Sequence, residues 1–287
     1  MNPTPTAKAA PQPAASVPNP IVEIRSLDHP LLSPYARLTE AQLRNRLHAE
    51  QGLFICESAK VIRIALTAGV EPCSMLCERK FLPQAQELLG GTPWREVPIL
   101  TADSPLLHQL TGYELSRGLL AAMRRPALPL ADEVLCSAHR VAVLDGVVNS
   151  ENTGAIFRAA AALGMDAVLL TRTSCDPLNR RACRVSMGTI FQLPWAYLDS
   201  YVQLSRAGFT TVALALTDRA LPLDHPSLRG HQRLALILGS EGDGLSPEAL
   251  HSCQLTARIP MWHGVDSLNV AAAAAVAFYA LADTDQR

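Results

Sequence analysis

Five short apolar runs in the second half of the chain, at residues 141–144, 167–171, 210–216, 234–238 and 255–259, restrict the fold more than any other feature. They are mostly apolar from end to end instead of alternating, so a strand built from one has to be covered on both faces. Between them the spacing of apolar residues turns helical. Strand–helix alternation of this kind specifies a parallel sheet between helical layers. In such sheets ligands bind where a strand ends and the chain turns toward a helix. The junctions after these runs are therefore where chemistry is to be sought.

At 287 residues there is room for a second unit ahead of that sheet. Residues 1–20 are almost wholly Pro, Ala, Ser, Thr and Asn, and are expected to form a disordered tail. Residues 21–125 mix helical and strand-like periods. They predict a helix over 34–48, an apolar run at 52–56, a helix over 57–68 ended by Gly69, and a strand at 73–77. Further signals at 83–89, 97–100 and 104–110 complete a small α/β domain. Residues 126–138 open on Pro-Ala-Leu-Pro-Leu-Ala-Asp and read as a linker, leaving 139–287 as the second domain.

No convincing membrane span or signal-peptide core is present, since the one long apolar stretch near the C-terminus is short and alanine-rich. A cytoplasmic protein is expected. The seven cysteines are scattered without zinc-ligand spacing, so small buried hydrophobes in a reducing compartment are expected, with no metal. A net charge of −1 gives no overall electrostatic case for nucleic acid. Local clusters at Arg124–Arg125, Arg172 and Arg180, Arg181 and Arg184 are either solvated surface or a phosphate-binding face.

Three junctions stand out. After the run at 141–144 comes Asp145-Gly-Val-Val-Asn-Ser-Glu-Asn-Thr-Gly-Ala-Ile-Phe-Arg158. Asn152 suits a helix cap, and Gly154 leaves room for another chain to approach the first turn. Ile156, Ala160 and Leu163 share a core face, while Arg158 rises among Gly154, Ala155, Ala161 and Ala162. It is either an ordinary exposed arginine or a functional one, and Asp145 likewise either shapes the turn or touches a site. The second junction, Gly239-Ser-Glu-Gly-Asp-Gly-Leu245, has three glycines in six residues, which permit close backbone approach to a ligand. It is not a P-loop, and Ser246-Pro247-Glu248 after it reads as a helix start. The third, Arg258-Ile-Pro-Met-Trp-His-Gly-Val-Asp-Ser-Leu-Asn-Val270, leads into an alanine-rich helix ending near 282. Ser267 can cap that helix. Asn269 is a poor residue just inside one unless its amide is used.

In this order, Asn152-x-Gly154-x-x-x-Arg158, Gly239-Ser-Glu241-Gly242-x-Gly244-Leu245 and Ile259-Pro-Met261 with Ser267-Leu-Asn269-Val270 resemble the three motifs of the SpoU (TrmH-like) RNA ribose 2′-O-methyltransferases of the SPOUT superfamily. Arg184-Val-Ser-Met-Gly188 and Phe191-Gln-Leu-Pro194 are similar to the family as well. The resemblance covers roughly residues 139–283, and more loosely residues 24–125 are similar to the ribosomal-protein-like substrate-binding domain that precedes it.

The resemblance implies a fold that sequence rules alone would reject, a parallel-sheet domain with a deep trefoil knot. It implies S-adenosylmethionine bound by Gly239, Ile259 and Leu268, with Gly242, Met261 and Thr217 beside them. It implies a homodimer with the helices after Asn152 and Asn269 at the interface, and rRNA or tRNA as substrate. Arg158, Glu241, Ser267, Asn269 and Asn152 become the catalytic set. The resemblance places Arg158 in an active site shared between subunits. There, because arginine stays protonated, it is expected to stabilise a developing 2′-alkoxide and fix an adjacent phosphate and not to act as a free base, while Glu241, Ser267 and Asn269 orient Arg158, the ribose and the cofactor loop. Arg172, Arg180 and Arg184 become candidates for gripping phosphates. Trp262 and His263 are larger than the family pattern; they either stack on a base or fill their loop, and the second is expected. Glu57-Ser58 stands where relatives have Glu-Gly. Two alternatives stay open: a catalytically inactive knotted RNA-binding or assembly protein, and a nucleotide-binding dehydrogenase, which the missing Gly-x-Gly-x-x-Gly after the first run disfavours.

Overall fold

The computed structural model describes residues 19–36, 40–44, 51–111 and 118–282. Most of the expected tail lies outside these residues, but its last two are anchored. The Asn19 amide donates to the carbonyls of Trp94 (2.8 Å) and Val97 (3.1 Å), and the Pro20 carbonyl accepts from Ile99. Asn19 and Pro20, the last two residues of the expected tail, are therefore held by the N-terminal unit.

The N-terminal unit contains β1 (Ile21–Glu23), α1 (Ser33–Ala36), α2 (Glu40–Arg44), β2 (Leu53–Glu57), α3 (Ala59–Thr67), β3 (Pro72–Glu78), α4 (Leu82–Gly90), β4 (Ile99–Ala102), α5 (Ser104–Thr111) and β5 (Leu119–Arg124). Its strands form one mixed sheet in the order β1-β4-β3-β5-β2, with β5 antiparallel to both neighbours. Alternation decides its two faces. Phe54, Cys56, Met75, Cys77, Leu119, Ala121 and Met123 point to the side of α3 and α4. Ile55, Leu76, Leu120 and Ala122 point to the other, where Leu32, Tyr35 and Leu107 cover them. The helix expected over 34–48 consists of two short helices among the described residues, and 45–48 fall outside them.

Residues 126–138, expected as a linker, contain α6 (Ala131–Ser137). Its first turn is closed by Glu133, whose carboxylate accepts from the Leu130 amide at 2.9 Å. Ala131, Val134 and Leu135 then bury against the second sheet. The helix belongs to the sheet that follows it, and only the residues ahead of it connect the two units.

That second unit runs through β6 (Arg140–Leu144), α7 (Ser150–Ala162), β7 (Ala167–Leu170), α8 (Arg180–Val185), β8 (Trp195–Tyr197), α9 (Val202–Arg206), β9 (Thr210–Leu214), β10 (Leu221–Pro222), β11 (Leu234–Leu238), α10 (Pro247–Ser252), β12 (Leu255–Arg258) and α11 (Val270–Leu281). All seven strands are parallel, in the order β10-β12-β9-β11-β6-β7-β8. The five apolar runs are its long strands. The two it adds, β8 and β10, are too short to show a period.

Helices cover both faces. On one, α6, α9 and α10 bury Val141, Val143, Leu169 and Ile237. On the other, α7 and α11 place Ile156, Phe157, Ala160, Ala274 and Phe278 over Leu144, Leu170 and Leu238. A helix of twelve residues is too short to persist alone. Burial of Val270, Phe278 and Leu281, at about 2 kcal/mol each, fixes α11 in place. Gly154 is used within the chain: a Cβ there would lie 2.5 Å from the Ala182 carbonyl oxygen, so α8 occupies the space that was expected to admit another chain.

The core of the second unit's α7 and α11 face is continuous with that of the N-terminal sheet. Ion pairs close the seam. Arg125 donates twice to the Asp176 carboxylate, at 2.7 and 2.9 Å, and Arg44 lies 3.3 Å from it. Buried Glu57 pairs with Arg180 and Arg184 at 3.3 and 3.6 Å. Ser58, beside it, has φ 85°, a left-handed conformation that explains why glycine suits this position in relatives.

Candidate active site

Three strands of the second sheet, β9, β11 and β12, end side by side, and the loops that leave them enclose a cavity of about 490 Å³. This is a normal size for a small-molecule site. Residues 214–217 form one wall, 238–245 the second, and residues from Arg258 to Ala273 the third. All six residues expected to hold a cofactor, Gly239, Ile259, Leu268, Gly242, Met261 and Thr217, line it. The second wall owes its shape to Gly239. A Cβ at that residue would lie 2.3 Å from the Gly244 carbonyl carbon, and the Ser240 amide donates to the Gly244 carbonyl at 2.9 Å. The loop thus folds back on itself directly over Gly239. At Gly242 an added Cβ would meet no protein atom, so that backbone faces open space.

Asn269 joins the walls. Its side-chain oxygen accepts from the amides of Ala271 and Ala272 at 3.0 and 3.3 Å, capping α11. Its amide nitrogen donates to the Asn152 side-chain oxygen at 3.0 Å and to the Glu241 carboxylate at 2.6 Å. One residue from each of the three junctions therefore meets at one point. The use expected for the Asn269 amide is this bridge. Asn152 is buried at 7% exposure, and its own amide nitrogen has no hydrogen-bond partner among the described residues. A donor in that state is costly unless a ligand or water accepts from it.

Several expectations are corrected. The cap of α7 is Asn149, which accepts from Glu151 and Asn152, so Asn152 sits in the first turn and is free to turn inward. The cap of α11 is Asn269 and not Ser267. Ser267 lines the cavity, but its hydroxyl donates to the neighbouring Asp266 carboxylate at 3.1 Å and does not reach Glu241, Asn269 or Arg158. Arg158 is exposed on α7 and makes no hydrogen bond or ion pair with any described residue. No described contact within one chain orients it, and its expected place is an active site shared between subunits.

The basic clusters are largely neutralised. Arg180 and Arg184 pair with Glu57, Arg181 with Glu151, Arg172 with Asp199, and Arg124 with Glu71. Arg172, Arg180 and Arg184, the candidates for gripping phosphates, each pair with a carboxylate of the same chain. Trp262 is 81% exposed and does not fill its loop; His263 beside it has φ 58°. Asp145 is buried and accepts from the Ser246 amide at 2.7 Å, which ties the end of β6 to the start of α10. The Tyr201 hydroxyl faces it across a second hollow of about 330 Å³, and burial together with that carboxylate pushes the phenol well above its ordinary pKa.

Sequence reasoning missed Asn149, because four good capping residues compete in these two segments and only packing chooses among them. It also passed over Arg258, the last residue of β12, whose side chain lines the cavity. Among the described residues no helix is long and apolar enough to cross a membrane.

Comparison with known proteins supplies the family. The model of the SpoU rRNA methylase family matches residues 139–279. An uncharacterised tRNA/rRNA methyltransferase of Mycobacterium bovis is 37% identical over 257 residues, covering 88% of either chain. A Bacillus subtilis 23S rRNA (guanosine-2′-O)-methyltransferase is 32% identical over 180 residues, 59% of this chain and 71% of the relative. The solved structure of the SpoU methyltransferase AviRb from Streptomyces viridochromogenes, in complex with S-adenosylmethionine, is 25% identical. It superposes with a TM-score of 0.68 over 83% of this chain and 93% of its own. With its three motif segments joined through Asn269 and a relative 37% identical over 88% of both chains, the chain belongs to the SpoU family of RNA methylases.

Proposed function

We propose that the chain methylates a ribose 2′-hydroxyl in rRNA or tRNA, in the cytoplasm, using S-adenosylmethionine held in the cavity between β9, β11 and β12. The observation that carries this reading is the bridge from Asn269 to Asn152 and Glu241 at the rim of that cavity. The residues fit the cofactor. Leu214, Leu216, Leu238, Ile259 and Leu268 offer apolar walls to a nucleobase, Gly242 presents bare backbone, and Glu241, Asp243 and Asp266 offer carboxylates to cationic groups. When bound, the cofactor supplies a methyl group already activated on a sulfonium.

The protein's remaining work is to place the hydroxyl and stabilise the oxygen as its proton leaves. Glu241 and Asn152, held by Asn269, form the fixed part of that site. Arg158 provides the positive charge that stabilises the 2′-alkoxide and grips the adjacent phosphate. Because nothing described within one chain orients Arg158, the site is read as shared by two subunits, with the exposed face of α11 around Val276 and Tyr279 at the contact. The deep trefoil knot implied by the family resemblance belongs to this reading. The N-terminal unit is read as the part that recognises RNA shape.

The test compares wild type with Arg158→Ala and Arg158→Lys, mapping 2′-O-methyl sites in total RNA and measuring cofactor affinity. Loss of methylation with unchanged cofactor affinity is expected for the alanine variant. Full turnover by that variant removes Arg158 from the mechanism. Absence of cofactor binding by the wild type favours an inactive RNA-binding protein instead.

A further inference from the structure

Charge is unevenly placed around the cavity. The described lining holds three carboxylates, Glu241, Asp243 and Asp266, but one cationic side chain, Arg258. Two of the carboxylates are engaged, Glu241 by Asn269 and Asp266 by Ser267. Arg258 is exposed and makes no hydrogen bond or ion pair with any described residue, although three acids share its cavity. Many other arginines of this protein are tied to a carboxylate, among them Arg44, Arg125, Arg172, Arg180, Arg181 and Arg184.

The base of the Arg258 side chain is rigid. It closes β12, where buried Ala257 accepts from the Ala215 amide at 3.0 Å and Arg258 itself is paired in register with Pro222. S-adenosylmethionine carries a sulfonium, an ammonium and a carboxylate. The acids of the cavity complement the first two and repel the third. A carboxylate in this site needs a cation, and a guanidinium offers two parallel donors to it.

We propose that Arg258 is the residue that binds the cofactor's carboxylate, and thereby makes the site prefer S-adenosyl amino acids over adenosine thioethers that lack the carboxylate. This rests on reading the cavity as the cofactor site. Arg258 opens the third wall at the end of β12, so the proposal assigns the amino-acid end of the cofactor to the β12 side of the cavity.

The test is calorimetric titration of the full chain with two ligands, S-adenosylhomocysteine and its decarboxylated analogue, which keeps the amine and the nucleoside. For wild type the first binds more tightly. Arg258→Ala is expected to weaken S-adenosylhomocysteine about five- to ten-fold, the size of a partly solvated bidentate pair, and to leave the analogue unchanged. Arg258→Lys, which keeps the charge and loses the fork, falls between and controls for folding. Equal weakening of both ligands, or of neither, overturns the proposal. Unchanged affinity for both ligands with weaker RNA retention overturns it in favour of a phosphate contact. If wild type binds neither ligand, the cofactor reading itself fails, which is a separate result from a wild-type chain whose preference survives the substitution.

Discussion

Replacing Asn269 with alanine removes a helix cap and a bridge between loops at once, and the two losses differ in size and in readout. The cap is the pair of bonds from Ala271 and Ala272 to the side-chain oxygen, at 3.0 and 3.3 Å. Its removal costs about 1 kcal/mol. The bridge is the pair of bonds from the amide nitrogen to Asn152 and Glu241. Its removal leaves the buried Asn152 oxygen without a donor, at about 1–3 kcal/mol. Together these give about 2–4 kcal/mol, which in a chain of this size lowers the melting temperature by about 5–10 °C. Asn269→Asp separates the terms. The new carboxylate still accepts from both amides and is favoured by the helix dipole, so the cap survives. It cannot donate, and it faces the Glu241 carboxylate, whose oxygen lies 2.6 Å from the native nitrogen. Thermal melts and single-turnover methylation of RNA are the assays. The alanine variant should lose both stability and turnover, whereas the aspartate variant should retain more of the stability and lose the turnover. Equal melting losses in the two variants would refute the capping assignment. Full turnover in the aspartate variant would refute the claim that the amide bridge builds the site.

Gly239→Ala forces a methyl group to within 2.3 Å of the Gly244 carbonyl carbon, so the glycine loop must open. Cofactor affinity should fall by more than tenfold while the far-ultraviolet circular dichroism stays native; unchanged affinity would show that the fold-back does not shape the site. Val276→Asp, at a 41% exposed position on α11, should convert a dimer to a monomer by sedimentation and abolish methylation, and a variant that stays dimeric and active places the subunit contact elsewhere. Burial pushes the Cys77 thiol up to about 12, whereas Cys136 is exposed. At pH 8 a thiol reagent should therefore modify Cys136 on the native protein and Cys77 only on unfolding. The sign of the linkage follows: Cys77 favours the folded state at neutral pH, and that contribution is lost as pH rises from about 9 toward 12. Labelling of native Cys77 as fast as Cys136 would contradict its burial.

The parallel sheet was legible because β6, β7, β9 and β11 are buried on both faces, and burial of that kind writes itself into the sequence as apolar runs. Strands β8 and β10, with three and two residues, carry no period to read. Helix α6 was hidden behind the proline-rich stretch before it, although Val134 and Leu135 already had the spacing of a buried face. What sequence reasoning could not do was choose partners across long separations. Asn149, Asn152, Ser267 and Asn269 are all chemically able to cap a helix, and the choice falls to Asn149 and Asn269 because the Asn269 amide meets a side chain 117 residues away. The arginines near residue 180 look like a phosphate-binding patch until Glu57, 123 residues from Arg180, is folded against them. The same reasoning explains why Arg258 escaped notice: as the terminal residue of a strand it has no motif of its own. Only the sheet order, which sets β9 between β11 and β12, turns its position into part of a cavity wall facing the glycine loop. A residue whose function depends on which strands are neighbours carries no signal in a single sequence, whereas one whose function depends on its own backbone, such as Gly239, does.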